Sequence, residues 1–519
     1  MKFHLSFATI VATTFSIILL SFLLHILNRK RSTRGKNRRP PQAKGALPII
    51  GHLHLLSGSQ LPHHVLGNMA EKHGPIFSIK LGMQDAVVVS NGMIAKSCFT
   101  TNDKAFATRP KSEATKLLAY NYAVFGFAPY GEYWRQMRKM FKSEVLSQKR
   151  VEMFRHVRGS ELKESIKDLY DEMSPNSEMV KVEMDQWFGN LVVNIMVRVI
   201  IGKRYSLNDE EGVRFQTIVR KFFELMGAFV VSDFIPHLKC LDVGGYVKAM
   251  KKTALDLDNI FDGWLKEHKK EEQPFHEEEG NQVLINLLIS ILQRASQHEF
   301  PGYDHDTIIK STCQQLLVAG LDTTSGTLTW ALALLLNNPN ALKKAQEEID
   351  EHVGRVRLVE EPDLKNLVYL DVIIKETLRL YPATPLLVPR ESMEDCIVGD
   401  YNIPKGTRLL VNLYKMHRDP SIWEDPLEFS PERFLIDRHI DFKGKHYELL
   451  PFGSGRRMCP GIQFSIQAVG LTLASLIQQF VLKKLSDKPI DMSESYGLTI
   501  CKATPLEVLL TPRLSSNMH

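Results

Sequence analysis

The sequence lacks the features of several large protein classes. Its 519 residues include only six cysteines and no Cys-x-x-Cys pair, so neither a disulfide framework nor a zinc site is indicated. Scattered cysteines instead favour a reducing, cytosol-facing environment. There is no internal repeat and no long low-complexity tract, so no repeat architecture is indicated. No glycine-rich motif follows a predicted strand, and the chain is therefore not expected to bind a dinucleotide by itself.

A strong overall charge is also missing. The net charge is +6, and seven basic residues lie between Arg29 and Arg39. Without these seven the net charge would be −1, so the rest of the chain is nearly neutral. The basicity is therefore local and does not indicate a nucleic-acid partner. Apolar residues make up 44% and charged residues 24% of the chain, which is ordinary for a globular protein with a large core.

The N-terminus is an almost uninterrupted apolar run from Phe3 to Leu27. About 25 helical residues span ~37 Å, enough to cross a hydrocarbon core of roughly 30 Å with some tilt. A cleaved signal peptide is the alternative, but the run is long and its positive charge follows rather than precedes it. That charge places the following chain in the cytoplasm. We therefore predict a transmembrane signal anchor at 1–28, a basic and proline-rich linker at 29–50, and a folded domain at 51–519.

The folded part is predicted to be mainly helical with a small β region. Short β-type runs at Ile76–Leu81 and Ala86–Ser90, separated by Gly82 and Asp85, predict a hairpin. The stretch Ala114–Tyr130 is apolar and aromatic without clean periodicity. Such a segment is typical of a pocket-lining loop, and an ordinary buried loop is the alternative.

The run Phe-Gly-Ser-Gly-Arg-Arg-Met-Cys-Pro-Gly at 452–461 concentrates reactive chemistry. Two glycines permit a tight loop, and Pro460 suits the first position of a following helix. Cys459 then lies at a helix N-terminus beside Arg456 and Arg457, and the dipole and the guanidinium charges favour a thiolate. A thiolate held in this way is a metal ligand or a nucleophile, whereas a buried, inert cysteine is the alternative.

A second unusual run lies inside a long predicted helix, Asp306 to Leu336, which Pro339 ends. At its centre is Ala-Gly-Leu-Asp-Thr-Thr-Ser-Gly (319–326), although glycine costs ~1 kcal/mol relative to alanine there. Threonine and serine can also bond to backbone carbonyls and bend the helix. Residues that disfavour a helix often mark a functional site when they lie at its centre. The alternative is that the glycine serves packing only and has no functional role.

Together these two segments resemble the cytochrome P-450 family. The cysteine run matches the family's haem-ligand loop, Phe-x-x-Gly-x-Arg-x-Cys-x-Gly, and the helix centre matches its oxygen-binding motif, Ala/Gly-Gly-x-Asp/Glu-Thr. The family's Trp-x-x-x-Arg, Glu-x-x-Arg and Pro-Glu-Arg-Phe motifs are also present, in the family's order. The resemblance covers essentially the whole chain. It implies one large, mainly α domain with a small β region that binds haem b and follows one N-terminal transmembrane helix.

The resemblance also implies roles at the haem. Cys459 would be the axial ligand of the iron, with Phe452 packed on its loop and Gly461 allowing the backbone to lie close to the porphyrin. Asp322 would deliver protons, and the Thr323 hydroxyl would steady the reacting oxygen. Four further residues would bind the cofactor, chiefly at its propionates: Trp134, Arg138, Arg390 and Arg457.

Two more groups follow from the resemblance. A buried ion cluster would brace the haem-side core through Glu376, Arg379 and Arg433. A substrate pocket would be lined by residues of the apolar segment, of the long helix, of the proline-rich segment Tyr381–Pro389 and of a late turn at Tyr496–Ile500. These residues are Leu118, Phe125, Leu316, Ala319, Leu386, Val388 and Leu498.

The implied activity is that of a monooxygenase, which inserts one oxygen atom of O2 into a hydrophobic small molecule. Electrons would come from NADPH through a separate reductase, and a single membrane span would hold the catalytic domain on the cytoplasmic face of the endoplasmic reticulum. The run Trp423-Glu-Asp-Pro is similar to plant microsomal members, and Asp441-Phe-Lys-Gly-Lys-His-Tyr resembles a plant subgroup that oxidises terpenoids, flavones, furanocoumarins and alkaloids. A docking face for the reductase could include Arg135, Lys139, Lys142 and Arg456.

Two other functions remain as alternatives at this point. A haem-thiolate isomerase or dehydratase would rearrange a peroxide without O2 or reductase, and the Asp322-Thr323 pair argues against it. A haem-binding carrier or sensor would show no turnover. The sequence does not identify the substrate or the position of attack, because cavity shape decides differences of about 1–3 kcal/mol per methylene.

Overall fold

The computed structural model describes residues 38–173, 179–205, 210–238, 242, 244–270, 283–296, 298–436, 439–495 and 497–514. The predicted membrane anchor at 1–28 and most of the predicted linker lie outside these residues, as does Tyr496. Within the described ranges, every helix is too short or too polar to cross a membrane.

Helices dominate the described part of the chain, as predicted. The α-helices are α1 (Leu53–Leu56), α2 (Pro62–His73), α3 (Gly92–Phe99), α4 (Glu113–Leu118), α5 (Glu132–Met140), α6 (Gln148–Met153), α7 (Arg155–Asp171), α8 (Met184–Ile201), α9 (Glu210–Met226), α10 (Tyr246–Lys270), α11 (Leu284–Arg294), α12 (His305–Asn337), α13 (Pro339–His352), α14 (Val368–Leu380), α15 (Leu413–Met416), α16 (Arg433–Ile436) and α17 (Ile462–Gln479). A π-helical turn at Phe141–Val145 continues α5, and 3-10 turns lie at Val231–Asp233, Pro236–Leu238, Glu361–Asn366 and Gly455–Arg457.

In the part of the chain that the structure describes, four small sheets complete the fold. The strands are β1 (Ile76–Leu81), β2 (Gln84–Val89), β3 (Val180–Glu183), β4 (Arg390–Glu391), β5 (Cys396–Val398), β6 (Tyr401–Ile403), β7 (Arg408–Val411), β8 (Phe480–Lys484), β9 (Glu494–Ser495), β10 (Cys501–Lys502) and β11 (Glu507–Pro512). One sheet has the order β1-β2-β7-β4, in which only the β2–β7 pair is parallel. A second has the order β3-β11-β8, and β5–β6 and β9–β10 are two-stranded.

The predicted hairpin is present as β1 and β2, with Ile76 opposite Val89 and Leu81 opposite Gln84. The second strand begins at Gln84, two residues before the predicted start. Residues 41–43 already lie along the outer edge of β1, where the Ala43 N–H donates to the Ser78 carbonyl at 2.9 Å. Part of the predicted linker is therefore packed against the sheet.

Helix α12 forms the centre of the largest hydrophobic core, and its bounds lie within one residue of the predicted ones. Asp304 caps its start by accepting a hydrogen bond from the Thr307 N–H at 2.8 Å. A Cβ at Gly320 would lie 2.5 Å from Cε of Met196 on α8, whereas Gly326 has open space around it. Gly320 therefore leaves room for the end of the Met196 side chain, which gives one of the two central glycines a packing role.

The segment predicted to be irregular between 114 and 130 is partly helical. Helix α4 begins after Ser112, whose hydroxyl accepts a hydrogen bond from the Thr115 N–H at 3.1 Å, and this cap explains why the helix forms. The irregular part follows it, where Tyr120, Asn121 and Tyr122 all have positive φ angles. Such angles are unfavourable for residues with a Cβ, so neighbouring contacts must hold this turn in place.

Candidate active site

The Cys459 loop is a tight structure closed by its own backbone. The Cys459 N–H donates to the Phe452 carbonyl at 3.1 Å, and the ring of Phe452 packs edge-on against Phe442 with centroids 5.5 Å apart. Gly455 has a φ of 69°, and a Cβ there would overlap the Asp103 carboxylate, so only glycine fits. The glycine at position 455 is thus required by the loop itself.

Two details of this loop differ from the prediction. Helix α17 begins at Ile462 with Gly461 as its N-cap, so Pro460 lies in the preceding turn and not at the first helical position. Arg456 pairs with Asp103, and Arg457 donates to three backbone carbonyls. Neither arginine is therefore the cation that acts on the thiol.

The Cys459 sulfur has other polar neighbours. The Gly461 N–H donates to Sγ at 3.4 Å, and the Arg138 charge also favours the thiolate. Burial is the larger effect and raises the pKa of the Cys459 thiol above its ordinary value. The residue is nevertheless accessible to solvent. A cation at this sulfur would stabilise the buried thiolate.

A group of buried and half-buried arginines lies beside this loop. Arg457 donates to the Ala107 and Ala128 carbonyls, each at 2.6 Å, and its guanidinium stacks on Trp134 at 4.4 Å. Arg138 donates to the Met458 carbonyl at 2.9 Å, and Arg390 donates to the Ser454 carbonyl at 2.7 Å. We call Arg109, Arg138, Arg390 and Arg457 the arginine group.

The four positive charges of the arginine group are not balanced by an equal number of negative charges nearby. Burial, followed by repulsion from Arg390 and Arg138, lowers the pKa of Arg457 to about 9, and burial lowers the pKa of Arg390 to about 10. Nη1 of Arg390 lies 3.6 Å from Oδ1 of Asp103, too far for a hydrogen bond, and Arg456 shares this carboxylate. Within the described residues, Nε1 of Trp134 has no hydrogen-bond partner. Buried cations normally have anionic partners, so this site fits a ligand with carboxylates. The two propionates of haem b match this need, next to a cysteine that can bind its iron.

Arg109 belongs to this group and was not predicted. Its guanidinium donates to the Gly126, Val388 and Pro389 carbonyls at 3.1, 2.5 and 3.0 Å. Burial and repulsion from Arg457 and Arg390 lower its pKa. A single arginine before a proline carries no spacing signal, so the sequence alone offered no way to find it.

Asp322 and Thr323 lie at the centre of α12. The Thr323 hydroxyl donates to the Ala319 carbonyl at 2.6 Å, the local bonding expected of threonine in a helix. Asp322 accepts a hydrogen bond from the Thr499 hydroxyl, and burial raises its pKa above the ordinary value although that bond opposes the shift. Next to this pair, the Thr324 and Ser465 hydroxyls lie 3.3 Å apart and join α12 to α17, the helix that follows Cys459.

The segments that carry the predicted pocket residues all meet at α12. Gln314 donates to the Leu118 carbonyl at 2.7 Å, and Gln315 accepts from the Gly126 N–H at 2.7 Å. Arg109 joins Gly126 to the Val388 segment, and the Ile500 N–H donates to the Ala383 carbonyl at 3.0 Å.

The predicted pocket side chains differ in exposure. Leu118 and Phe125 are buried, and the Phe125 ring stacks on Phe141 and Trp134. Leu386 packs partly against the core under the β1–β2 sheet. Ala319 is accessible at mid-helix, and three more are half-buried: Leu316, Val388 and Leu498. Their contact with substrate stays a prediction.

The three predicted members of the ion cluster are in contact. Arg379 binds both carboxylate oxygens of Glu376 at 2.7 and 2.8 Å, and Arg433 donates to the same carboxylate at 3.1 Å. Glu376 and Arg379 are fully buried. Arg379 also donates to the His417, Pro426 and Glu428 carbonyls, so one side chain fixes a long segment before the ligand loop.

His417 extends this cluster to the ligand loop, a link that the sequence did not reveal. Its Nδ1 lies 3.1 Å from the Arg379 carbonyl, and its Nε2 accepts from the Leu450 N–H at 3.0 Å. The first contact requires a proton on Nδ1 and the second a lone pair on Nε2, so the ring is neutral. Leu450 is two residues before Phe452, and the cluster therefore positions the start of the loop.

We expect His417 to make folding stability depend on pH. Burial lowers the pKa of His417 to about 3, whereas the unfolded chain takes up this proton below about pH 6.5. Stability from this residue is complete above pH 6.5 and should fall by about 1.4 kcal/mol per unit as the pH falls toward 3. Urea unfolding of wild type and His417→Gln at pH 6.5 and 5 checks this, because carboxylates titrate alike in both proteins. Equal pH slopes would show that His417 does not cause the effect.

Comparison with known proteins agrees with this arrangement. The family model described as cytochrome P450 matches residues 40–510. The fold is similar to that of a zebrafish cytochrome P450 solved with progesterone, at a TM-score of 0.73 and 26% identity, covering 88% of this chain and all of that one.

Characterised relatives cover nearly the whole chain. A flavonoid-6-hydroxylase of Mentha piperita is 49% identical over 99% of both chains. A xanthotoxin 5-hydroxylase of Arabidopsis thaliana is 47% identical over 94% of this chain and 96% of its own. The chain therefore belongs to the cytochrome P450 family of haem-binding monooxygenases and is similar to plant hydroxylases of specialised metabolites.

Proposed function

We propose that this protein is a membrane-anchored monooxygenase that oxidises a hydrophobic plant metabolite such as a flavonoid, furanocoumarin, terpenoid or alkaloid. The observation that carries the proposal is the arginine group around an accessible Cys459, since these cations match the propionates of haem b and a thiolate can bind its iron. Electrons would come from NADPH through a separate reductase. The apolar run at 1–28 supports anchoring in the endoplasmic reticulum membrane, with the catalytic domain in the cytoplasm.

Each side chain has a distinct task in this proposal. Cys459 would bind the iron, and Arg138, Arg390, Arg457 and Trp134 would hold the propionates, while the backbone at Phe452 and Gly461 shapes the loop. Thiolate-bound haem supplies the activation of O2 when it is present. Asp322 would donate a proton to the reacting oxygen, and the Thr323 hydroxyl would hold that oxygen in place.

The basic residues proposed to dock the reductase lie close to the ligand loop. Arg135, Lys139 and Lys142 are exposed on α5 and its π-helical continuation, the same segment that directs Trp134 and Arg138 inward. Arg456 stacks on Tyr130 at 6.0 Å, as Arg135 does at 5.7 Å. An acidic surface on the reductase would complement these charges.

Co-expression with a plant reductase tests the proposal. Flavones, xanthotoxin, terpenoids and alkaloids would be supplied, and products heavier by one oxygen atom would be sought by mass spectrometry. We expect product only when NADPH, O2 and the reductase are all present. Product formed from a peroxide without O2 or reductase would instead support the isomerase or dehydratase alternative.

Replacing Thr323 with alanine should uncouple the reaction without loss of haem. The variant loses a hydroxyl at the reacting oxygen, and a hydrogen bond of about 1.4 kcal/mol corresponds to roughly 10-fold in rate. Product per NADPH should therefore fall about 10-fold and hydrogen peroxide should rise. Thr327 is a matched control, because its hydroxyl makes the same type of bond one turn later, to the Thr323 carbonyl at 2.7 Å. Full coupling in Thr323→Ala would contradict the assigned role.

A further inference from the structure

Two consecutive histidines at the start of α2 reach one buried carboxylate. Nε2 of His63 lies 2.6 Å and Nε2 of His64 lies 3.3 Å from the same oxygen atom, Oε2 of Glu494 on β9. Adjacent side chains of a helix point about 100° apart, so this pair converges only because the carboxylate lies between the two rings. The three residues thus bring two ring nitrogens and a carboxylate oxygen to within 4.8 Å of one another. We call them the His-His-Glu cluster.

The distances within this cluster suit the ligands of one metal ion. Zn²⁺ binds imidazole nitrogen and carboxylate oxygen at about 2.0–2.2 Å, which places two tetrahedral ligand atoms about 3.3 Å apart. Nε2 of His64 and Oε2 of Glu494 already have this separation. Nε2 of His63 is closer to the oxygen and would have to move outward by about 0.7 Å. A small adjustment of the side chains would therefore admit an ion.

The two rings are held in position by the chain around Tyr414. The Tyr414 ring packs against both, with its centroid 5.1 Å from that of His63 and 4.4 Å from that of His64. The Asn412 side chain donates to the His63 backbone carbonyl at 3.0 Å. Supporting contacts of this kind fix the direction of metal ligands. The side chains of His63 and Glu494 are 3% and 8% exposed, whereas that of His64 is 34% exposed, so an ion has an entry path from solvent.

The charges beside the cluster determine which ions it can bind. The Glu494 carboxylate attracts a cation, whereas Arg418, which stacks on Tyr414 at 4.1 Å and donates to the Leu380 carbonyl at 2.5 Å, repels one. A cation therefore binds only if its bonds to the ligands outweigh this repulsion. Imidazole nitrogen forms strong bonds with Zn²⁺, Cu²⁺ and Ni²⁺, whereas Mg²⁺ and Ca²⁺ prefer oxygen ligands. The cluster is thus expected to select the first group of ions.

We propose that the His-His-Glu cluster is a binding site for Zn²⁺ or a chemically similar transition-metal ion. His63, His64 and Glu494 would supply three ligands, and water would fill the fourth position. The site joins α2 to β9, which are more than 400 residues apart in the sequence. None of its residues belongs to the candidate active site, and the inference goes beyond the proposed oxidation without depending on it.

A bound ion would restrain the turn between β9 and β10. Glu494 is on the first strand of this antiparallel pair. The β10 side of the turn is held by Ile500, whose N–H donates to the Ala383 carbonyl and whose carbonyl accepts from Nε1 of Trp330, both at 3.0 Å. The ion would add a restraint on the β9 side. It should therefore stiffen a turn that carries Leu498, one of the predicted pocket residues.

Calorimetric titration of the purified, untagged full-length protein with Zn²⁺ tests the site, and Mg²⁺ serves as the comparison ion. We expect one Zn²⁺ site per chain that Mg²⁺ does not occupy. Glu494→Gln removes the charge that attracts the ion, and His64→Gln removes one ligand while the His63–Glu494 contact remains. Each should weaken binding by more than the roughly 10-fold that loss of an outer-sphere partner costs. His352→Gln is the matched control, because this histidine is exposed at the end of α13, and it should bind Zn²⁺ as the wild type does.

Amide hydrogen exchange tests the restraint on the turn. With Zn²⁺ present, exchange in the peptide that contains β9 and β10 should slow several-fold relative to protein treated with a chelator. The same slowing is expected in His352→Gln but not in Glu494→Gln. Circular dichroism of each variant shows whether the fold is kept during these comparisons.

The outcomes address the site, its ion and its effect separately. Absence of Zn²⁺ binding, or equal Zn²⁺ affinity in the wild type, Glu494→Gln and His64→Gln, would overturn the site. Binding of Mg²⁺ as tight as that of Zn²⁺ would overturn the proposed class of ion. Binding of Zn²⁺ without slower exchange would overturn the restraint on the turn. Neither test uses turnover, so a failure of the proposed oxidation would leave these results unchanged.

Discussion

Replacing Cys459 with serine is expected to abolish the absorption band that the reduced, carbon-monoxide-treated protein shows on the long-wavelength side of the Soret band. That band requires a thiolate on the iron, and a serine hydroxyl stays neutral at the pH of the experiment. The loop should persist, because the Cys459 N–H bonds to the Phe452 carbonyl through the backbone, which the substitution leaves in place. Turnover should fall to background together with the band.

A matched control separates this effect from a general loss of thiols. Cys396 is a half-buried cysteine on β5, close to the Ser392 hydroxyl and outside the ligand loop. Cys396→Ser should keep the band and the activity. Persistence of the band in Cys459→Ser would show that another residue binds the iron, and the assignment of Cys459 would then be wrong.

The second large effect is expected at Arg379. Arg379→Met leaves the fully buried Glu376 carboxylate without its bidentate partner, although Arg433 still contacts it. Breaking a buried pair in this way costs about 3–5 kcal/mol, because a charge remains in the core without compensation. The same change removes three hydrogen bonds to the segment that leads to His417 and Leu450, so haem content should fall as well. Urea unfolding and the carbon-monoxide band measure the two consequences.

Two further variants test the reason for this loss. Glu376→Gln combined with Arg379→Met removes both charges. Its loss of unfolding free energy should be smaller than the sum of the losses in the two single variants. Arg357 makes a comparable two-pronged contact to Asp363, at 2.7 and 2.8 Å, but at the surface. Arg357→Met should leave the unfolding midpoint nearly unchanged. Additive costs in the double variant, or an equal loss in Arg357→Met, would contradict the buried-charge explanation.

The sequence predicted those parts of the molecule that local rules determine. Helix α12 is followed by a proline that cannot continue it, and both of its ends were placed within one residue. The hairpin of β1 and β2 follows from apolar runs separated by a turn, and the cysteine loop follows from its glycines. Contact among Glu376, Arg379 and Arg433 was predicted from family resemblance alone, since charges spaced in this way usually lie on a surface.

The contacts that position the site could not be predicted from the sequence, because they join segments that are far apart along the chain. His417, Arg109 and Thr499 are single residues without a spacing signal, and each acts through backbone or side chains far along the chain. The start of α17 was misplaced because Pro460 suits a first helical position, whereas the glycine after it forms the cap. The cation beside Cys459 was also assigned wrongly from sequence neighbours. Arg456 contacts Asp103 and Arg457 contacts backbone carbonyls, so neither lies against the thiol.

The most direct test of the whole account is the haem content of the purified wild-type protein after expression with ample haem precursor. We expect a red protein with about one haem per chain and, on reduction with carbon monoxide, the long-wavelength band of a thiolate-bound iron. A colourless protein that is folded by circular dichroism would contradict the account, because the arginine group and Cys459 would then serve some other purpose.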